Sequence, residues 1–210
     1  MKKASVEKTF SQYIYWLVWY TEFLNKVYSA EHIVKTKEEK EEVVEAFLLR
    51  VHSLWEGFTE DLLIDCLNRD ASMYAKYTGL KLPKHMTRPQ CTALLLGLGY
   101  FDTRSVAELR RLAKNILVAK NNPFKAIPSD AAATIDDFSK IRNYAAHESL
   151  AAERTLMTMY KTRHNMKTFR YPGNFLLAWD KRTNQTRFGN YVDAFLEATT
   201  AMAKSLGLKM

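Results

Sequence analysis

An all-α fold, arranged as an antiparallel helical bundle, is what this sequence predicts, and three observations carry it. Apolar residues recur at the three-and-four spacing of helices with one face on a core along most of the chain. Alternating, strand-like patterns are confined to one short region near residues 170–188. An apolar fraction of 47%, with only seven glycines and five prolines in 210 residues, argues for a folded chain and against a disordered one. A chain of this length can bury a full core as one domain over residues 1–210. Its centre is expected at about 43–165, with an N-terminal and a C-terminal helix packed on it.

The elements follow in order. A first helix is expected over residues 11–29, where Trp16, Trp19, Tyr20 and Phe23 sit at helical spacing. Core or subunit contact is the preferred reading of these aromatics over a surface for stacking bases. Lys35-Thr-Lys-Glu-Glu-Lys-Glu-Glu opens a long second helix that reaches about Asn68, its acids and lysines spaced for i,i+4 pairs. Phe47, Val51, Leu54, Phe58, Leu62 and Cys66 make its apolar stripe. Beside the stripe His52, Glu56 and Glu60 follow at four-residue steps as a polar ridge.

Pro83 and Pro89 bracket a loop, and a short apolar run ends at Gly97 and Gly99. Thr103 then begins a helix to about residue 119, with Val106, Leu109, Leu112, Ile116 and Leu117 on its inner side. Asn121-Asn-Pro-Phe and Ile127-Pro-Ser-Asp read as loop, poised before the next helix. Another helix is expected over 150–163. Tyr171-Pro-Gly-Asn reads as a turn, and residues 175–179 followed by 180–184 as a small β-hairpin. A closing helix covers 191–205.

Composition narrows the function classes. Cys66 and Cys91 are the only cysteines, each inside an apolar run, so a disulfide framework is not expected and a reducing cytoplasm fits best. Met1-Lys-Lys starts like a signal peptide, but Glu7, Lys8 and Gln12 precede a short apolar stretch with no small-residue cleavage site. No run of 18 apolar residues suggests a membrane span. The formal charge is +8, and it is uneven. From residue 154 to 187 eight basic residues face one acid, Asp180. Such a stretch releases counterions from a polyanion and so gives affinity without sequence selectivity. Lys161, Arg163, Lys167 and Arg170 are the candidate RNA-binding residues, and His164 lies among them.

The densest chemical signal is Ile135-Asp-Asp-Phe-Ser-Lys-Ile-Arg142-Asn143-Tyr144-Ala-Ala-His147. Ile135, Phe138, Ile141 and Ala145 keep the helical pattern, while Arg142 and Asn143 interrupt it. His147 follows Asn143 by one turn, on nearly the same face. A fixed positive charge beside a group that titrates near neutral pH suits work on a phosphodiester. No metal site is expected: the His52, Glu56, Glu60 ridge has helical ligand spacing, yet no cysteine pair or HExxH motif accompanies it. No cofactor is expected either, since neither a glycine-rich phosphate loop nor a dinucleotide fingerprint occurs.

Arg142-Asn-Tyr-Ala-Ala-His147 resembles the R-x4-6-H signature of the HEPN superfamily, including the polar residue that often follows the arginine. Leu54-Trp-Glu-Gly-Phe58 looks like the aromatic-acidic helix of its RiboL-PSP-HEPN branch. The resemblance covers most of residues 43–156. It implies a small helical bundle that is a metal-independent endoribonuclease, dimerising so that two motifs face one cleft. It also implies a toxin–antitoxin or antiviral-defence setting, with an antitoxin or defence-system protein as a possible partner beside RNA. Glu56 then takes the part of the family's upstream acid, which pins the arginine.

The chemistry can be argued from the residues as well. RNA carries its own nucleophile, the 2′-hydroxyl, so cleavage needs a proton acceptor or donor and a cation for the phosphorane-like transition state. His147 is the candidate base or acid. Arg142 can hold two phosphate oxygens with its planar fork. Asn143 could orient the imidazole or a phosphate oxygen, and Tyr144 could stack on a base or pack in a dimer contact. The expected products are a 2′,3′-cyclic phosphate and a 5′-hydroxyl. The competing expectation is a non-catalytic helical module that binds RNA or a partner protein, motivated by the basic stretch and the aromatic first helix.

Overall fold

Helix α1, Val6–Ser29, begins where the Ser5 hydroxyl accepts the Lys8 N–H, which satisfies one of the donors a helix start leaves free. Thr36 and Glu39 form a full capping box at the head of α2, Lys37–Arg69, the longest element. Thr87 and Gln90 repeat the device, with Pro89 in the first turn, at α4, Arg88–Leu96. The others are α3 (Ser72–Thr78), α5 (Val106–Ile116), α6 (Ser129–His147), α7 (Leu150–His164), α8 (Pro172–Leu177) and α9 (Arg187–Ser205). Trp179–Asp180 (β1) and Gln185–Thr186 (β2) pair antiparallel, Trp179 opposite Thr186. This computed structural model describes residues 4–30, 32–97 and 105–209. Gly99, Thr103 and the Met1-Lys-Lys start lie outside them.

The fold is all-α, and α2 is its axis. It packs against α1, α4, α6 and α8, while α9 lies on α6 and α1. One apolar cluster runs through the described chain from Val6 to Ala203 and includes Phe10, Leu48, Leu62, Phe138, Tyr160 and Phe195. The core therefore extends well beyond residues 43–165, because α1 and α9 supply a large part of it. Polar ties fix the packing. Asp65, buried on α2, accepts the Thr9 hydroxyl of α1 at 2.6 Å and the Arg88 Nε–H of α4 at 3.0 Å. Among the described residues no helix is long and apolar enough to cross a membrane.

The structure departs from the sequence reading around residues 171–186. Tyr171-Pro-Gly-Asn, read as a turn, is the start of α8, with Pro172 in the first turn, where a missing N–H costs nothing. The hairpin is displaced downstream and shrinks to two residues per strand, with Asn184 in its turn at φ 56°. Gly173 explains why a helix forms here. Its N–H donates to Glu45 Oε1 at 2.7 Å, and a Cβ built on it would lie 2.6 Å from the Glu41 carbonyl oxygen and 2.7 Å from the Glu41 Cα. The α8 backbone thus rests directly on the α2 backbone. Asn174 Nδ2 donates to Glu41 Oε1 at 2.9 Å and completes the contact.

Candidate active site

Helix α6 carries the motif. Its inner face buries Ile135, Phe138, Ile141 and Tyr144, which turns Arg142 toward α2 and leaves Asn143 and His147 on the exposed side. His147 is the last helical residue. Glu148 follows in the left-handed region at φ 44°, its N–H closing on the Tyr144 carbonyl. A left-handed conformation is costly for a side-chain-bearing residue, so the chain ends α6 sharply at the imidazole.

Arg142 is the best-held residue of the motif. Its Nη2 donates to Glu56 Oε1 at 2.6 Å and its Nε to His52 Nδ1 at 3.1 Å. Both partners come from α2, one turn apart. With about a quarter of its side chain exposed and two N–H groups engaged, the guanidinium has three of its five donors without a partner among the described residues. Glu56 and Arg142 are 86 residues apart in sequence, and the fold brings them into a charge-assisted contact.

His52, read from sequence as part of a polar ridge, is buried. Its Nε2 meets Ser139 Oγ at 3.0 Å, and that hydroxyl donates to the Ile135 carbonyl at 3.1 Å. A guanidinium N–H can only donate, so Nδ1 must accept from Arg142, and the neutral ring carries its hydrogen on Nε2 toward Ser139. Glu56 Oε2 lies 3.4 Å from the same Nδ1. That approach becomes a hydrogen bond only if the ring takes a second proton, which would then oppose Arg142. The remaining member of the ridge, Glu60, is half-buried and makes no side-chain hydrogen bond among the described residues. His52 is the site residue that its sequence position concealed. The usable signal was its i,i+4 spacing to Glu56, the acid that the motif resemblance had singled out.

Burial pushes the Glu56 carboxyl up, but the charge and hydrogen bond of Arg142 work the other way, and the carboxyl is held below the usual carboxylate range. A group depressed in the folded state stabilises the fold above its unfolded value, about 4.3, and loses that contribution as pH falls through its folded value. Glu56→Gln should therefore be less stable than the parent at neutral pH, by no more than about 1 kcal/mol because the carboxylate is partly solvated. The gap should close below about pH 4. Denaturant midpoints of the two proteins measured from pH 7 to pH 3 check this.

The remaining candidates divide. Asn143 is exposed and makes no side-chain hydrogen bond among the described residues, so its amide is available. Tyr144 is not: it is buried, edge-on to Phe169 at 5.2 Å, and therefore packs within the chain instead of offering a face to a base. Burial raises its hydroxyl pKa, with Tyr171, Glu153, Glu148 and Glu45 adding to the effect. Those carboxylates mean that a phosphodiester brought to the end of α6 meets acids as well as the cation of the motif. Lys161, Lys167 and Arg170 are exposed, as a phosphate-tracking surface requires. Arg163 is exposed too, but its Nε donates to the buried Asp137 at 2.8 Å, which neutralises much of its field. No group of three or more His, Cys, Asp or Glu side chains is placed to hold a metal ion among the described residues. No family model matches the chain, and no curated protein or solved structure matches it at a significant level.

Proposed function

We propose that the chain is a HEPN-type, metal-independent endoribonuclease that acts on RNA as a homodimer, with Arg142, Asn143 and His147 of both copies forming one composite site. The observation that carries this reading is the setting of Arg142: held by Glu56 and His52, it still has free N–H groups on the same helix as an exposed, helix-terminal imidazole. In this reaction the 2′-hydroxyl attacks the adjacent phosphorus as one His147 removes its proton. Arg142 stabilises the charge that grows on the non-bridging oxygens, and a second imidazole protonates the departing 5′-oxygen. The products are a 2′,3′-cyclic phosphate and a 5′-hydroxyl. A fixed Arg142 suits this work, since a pre-positioned cation needs no reorganisation as charge develops. Exposed Lys161, Lys167 and Arg170 would hold the strand. A cytoplasmic toxin–antitoxin or antiviral-defence setting, with an antitoxin or defence-system protein as partner, follows from the resemblance of the motif.

Incubation of the purified chain with RNA in EDTA tests the reading. Cleavage that leaves cyclic phosphate ends is expected, and intact RNA after treatment with a dimeric preparation would overturn it. A non-catalytic binding module is the second reading. It is favoured by the solvent-facing aromatics of α1, where Tyr15, Trp16, Trp19 and Phe23 stay exposed and Trp19 stacks on Phe23 at 5.1 Å. An exposed apolar cluster of this kind marks a contact surface. Under that reading RNA or protein binding survives loss of His147.

A further inference from the structure

A second polar cleft lies on the other side of α6 from Glu56. It has a volume of about 480 Å³ and is walled by the first half of α6, the end of α7, the β1–β2 hairpin and α9. That size is ordinary for a small-molecule site. Its charges fall into two groups. Four are already paired: Asp137, 3% exposed, takes Arg163 at 2.8 Å and, from outside the cleft, Lys140 at 2.9 Å, while Asp180 takes Arg182 at 3.1 Å and the Asn190 amide at 3.2 Å; Asp130, Asp193 and Glu197 make no ion pair among the described residues.

Three further groups lack the partners their chemistry calls for. Arg187, at the start of α9, has no carboxylate within ion-pair distance among the described residues. Its guanidinium sits over the Phe175 ring at 4.4 Å, and Nη1 reaches only the Met166 sulfur, at 3.8 Å. Tyr191, one turn further along α9 and 4% exposed, has a buried hydroxyl with no hydrogen-bond partner among the described residues. His164, the last residue of α7, has a buried Nε2 with none among them. All three line the same cleft. Leaving a buried hydroxyl and a half-buried guanidinium without acceptors is costly, because each has given up water. An oxyanion in the cleft, with several lone pairs, would offer these groups the partners they lack. Burial, followed by the charge of Arg187, lowers the His164 pKa and keeps that ring neutral, while burial also lowers that of Arg187. A bound anion would relieve both.

We propose that this cleft is a small-anion site, taking inorganic phosphate or the phosphate of a small phosphate monoester between Arg187, Tyr191 and His164. Acidic residues at the cleft, Asp130, Asp193 and Glu197 among them, favour a monoester whose other end donates hydroxyl hydrogens, as a sugar phosphate does. The same residues disfavour a polyanionic strand. The proposal does not rest on the nuclease reading. It concerns the opposite flank of the motif helix, and none of its three groups belongs to the Arg142 cluster.

Calorimetric titration of the full chain with inorganic phosphate and with glucose 6-phosphate tests it, alongside Tyr191→Phe and Arg187→Gln. Both probes should bind the parent. Tyr191→Phe removes one oxygen that makes no hydrogen bond among the described residues, so its thermal midpoint without ligand should be unchanged or higher, while affinity falls at least about 10-fold. Arg187→Gln should abolish binding; if it does not fold, Tyr191→Phe decides alone. Absence of binding by the parent at millimolar probe, or equal affinity in Tyr191→Phe, would overturn the proposal. So would displacement of glucose 6-phosphate by an RNA oligomer with a 5′-hydroxyl end at equal phosphate concentration, since the cleft would then be part of a general polyanion surface.

Discussion

His147→Ala should abolish RNA cleavage while leaving the fold unchanged. The imidazole is exposed at the last position of α6 and makes no contact that the core depends on, so the substitution removes a proton carrier and little else. General acid–base catalysis by a positioned side chain contributes about 10²–10⁴-fold, and the composite site would lose both of its copies at once. Arg142→Ala should cost a comparable amount, about 2.7–4 kcal/mol of transition-state stabilisation. Its signature differs, because it also leaves Glu56 and His52 without their cation. Cleavage rates and denaturant midpoints should be measured together. His147→Ala is expected to lose rate alone, whereas Arg142→Ala should lose rate and some stability. Undiminished cleavage by His147→Ala would remove the nuclease reading and leave the binding module.

Gly173→Ala should be the most damaging single-methyl change in the chain. The added carbon would meet the Glu41 carbonyl oxygen, Cα and Cβ at 2.6–2.7 Å, and two of these three are backbone atoms of a long, capped helix that cannot swing aside. Relief requires α8 to lift from α2, which breaks the Gly173–Glu45 and Asn174–Glu41 hydrogen bonds and loosens Phe175 and Leu176, both fully buried. Overpacking typically costs about 1–3 kcal/mol, and the lost hydrogen bonds place this case at the upper end or beyond. Thermal and urea unfolding check it. A change within 0.5 kcal/mol of the parent would show that the two helices are not in close contact there.

How far the sequence could be read depended on the range of the interaction. Lys35-Thr-Lys-Glu-Glu announces the start of α2 because a capping box is closed within four residues. The all-α class was legible for the same reason, since apolar periodicity is local. Tyr171-Pro-Gly-Asn misled because Pro-Gly usually marks a turn. Here proline opens a helix, and glycine answers to Glu41, 132 positions earlier, which no local pattern records. The contact between Glu56 and Arg142 could be anticipated only through resemblance, since nothing in either neighbourhood points to the other. His52 stayed hidden because a histidine beside two glutamates at four-residue steps looks solvated. Its burial depends on where α6 comes to lie. Tyr144 shows the converse, as a residue within a chemical motif whose ring serves packing.

The fixed tautomer of His52 bears on reaction order. Two histidines stand near the motif in each chain, which could suggest that one copy holds both the acid and the base. Yet the His52 ring faces Arg142 through one nitrogen and Ser139 through the other, so neither is free for a substrate proton. Under the nuclease reading, one chain then brings a single usable imidazole to the phosphodiester, and the second must arrive with another copy. Under the composite-site reading, turnover per chain is a function of concentration: on dilution below the dissociation constant of the pair, activity should fall with the square of protein concentration, not in proportion to it.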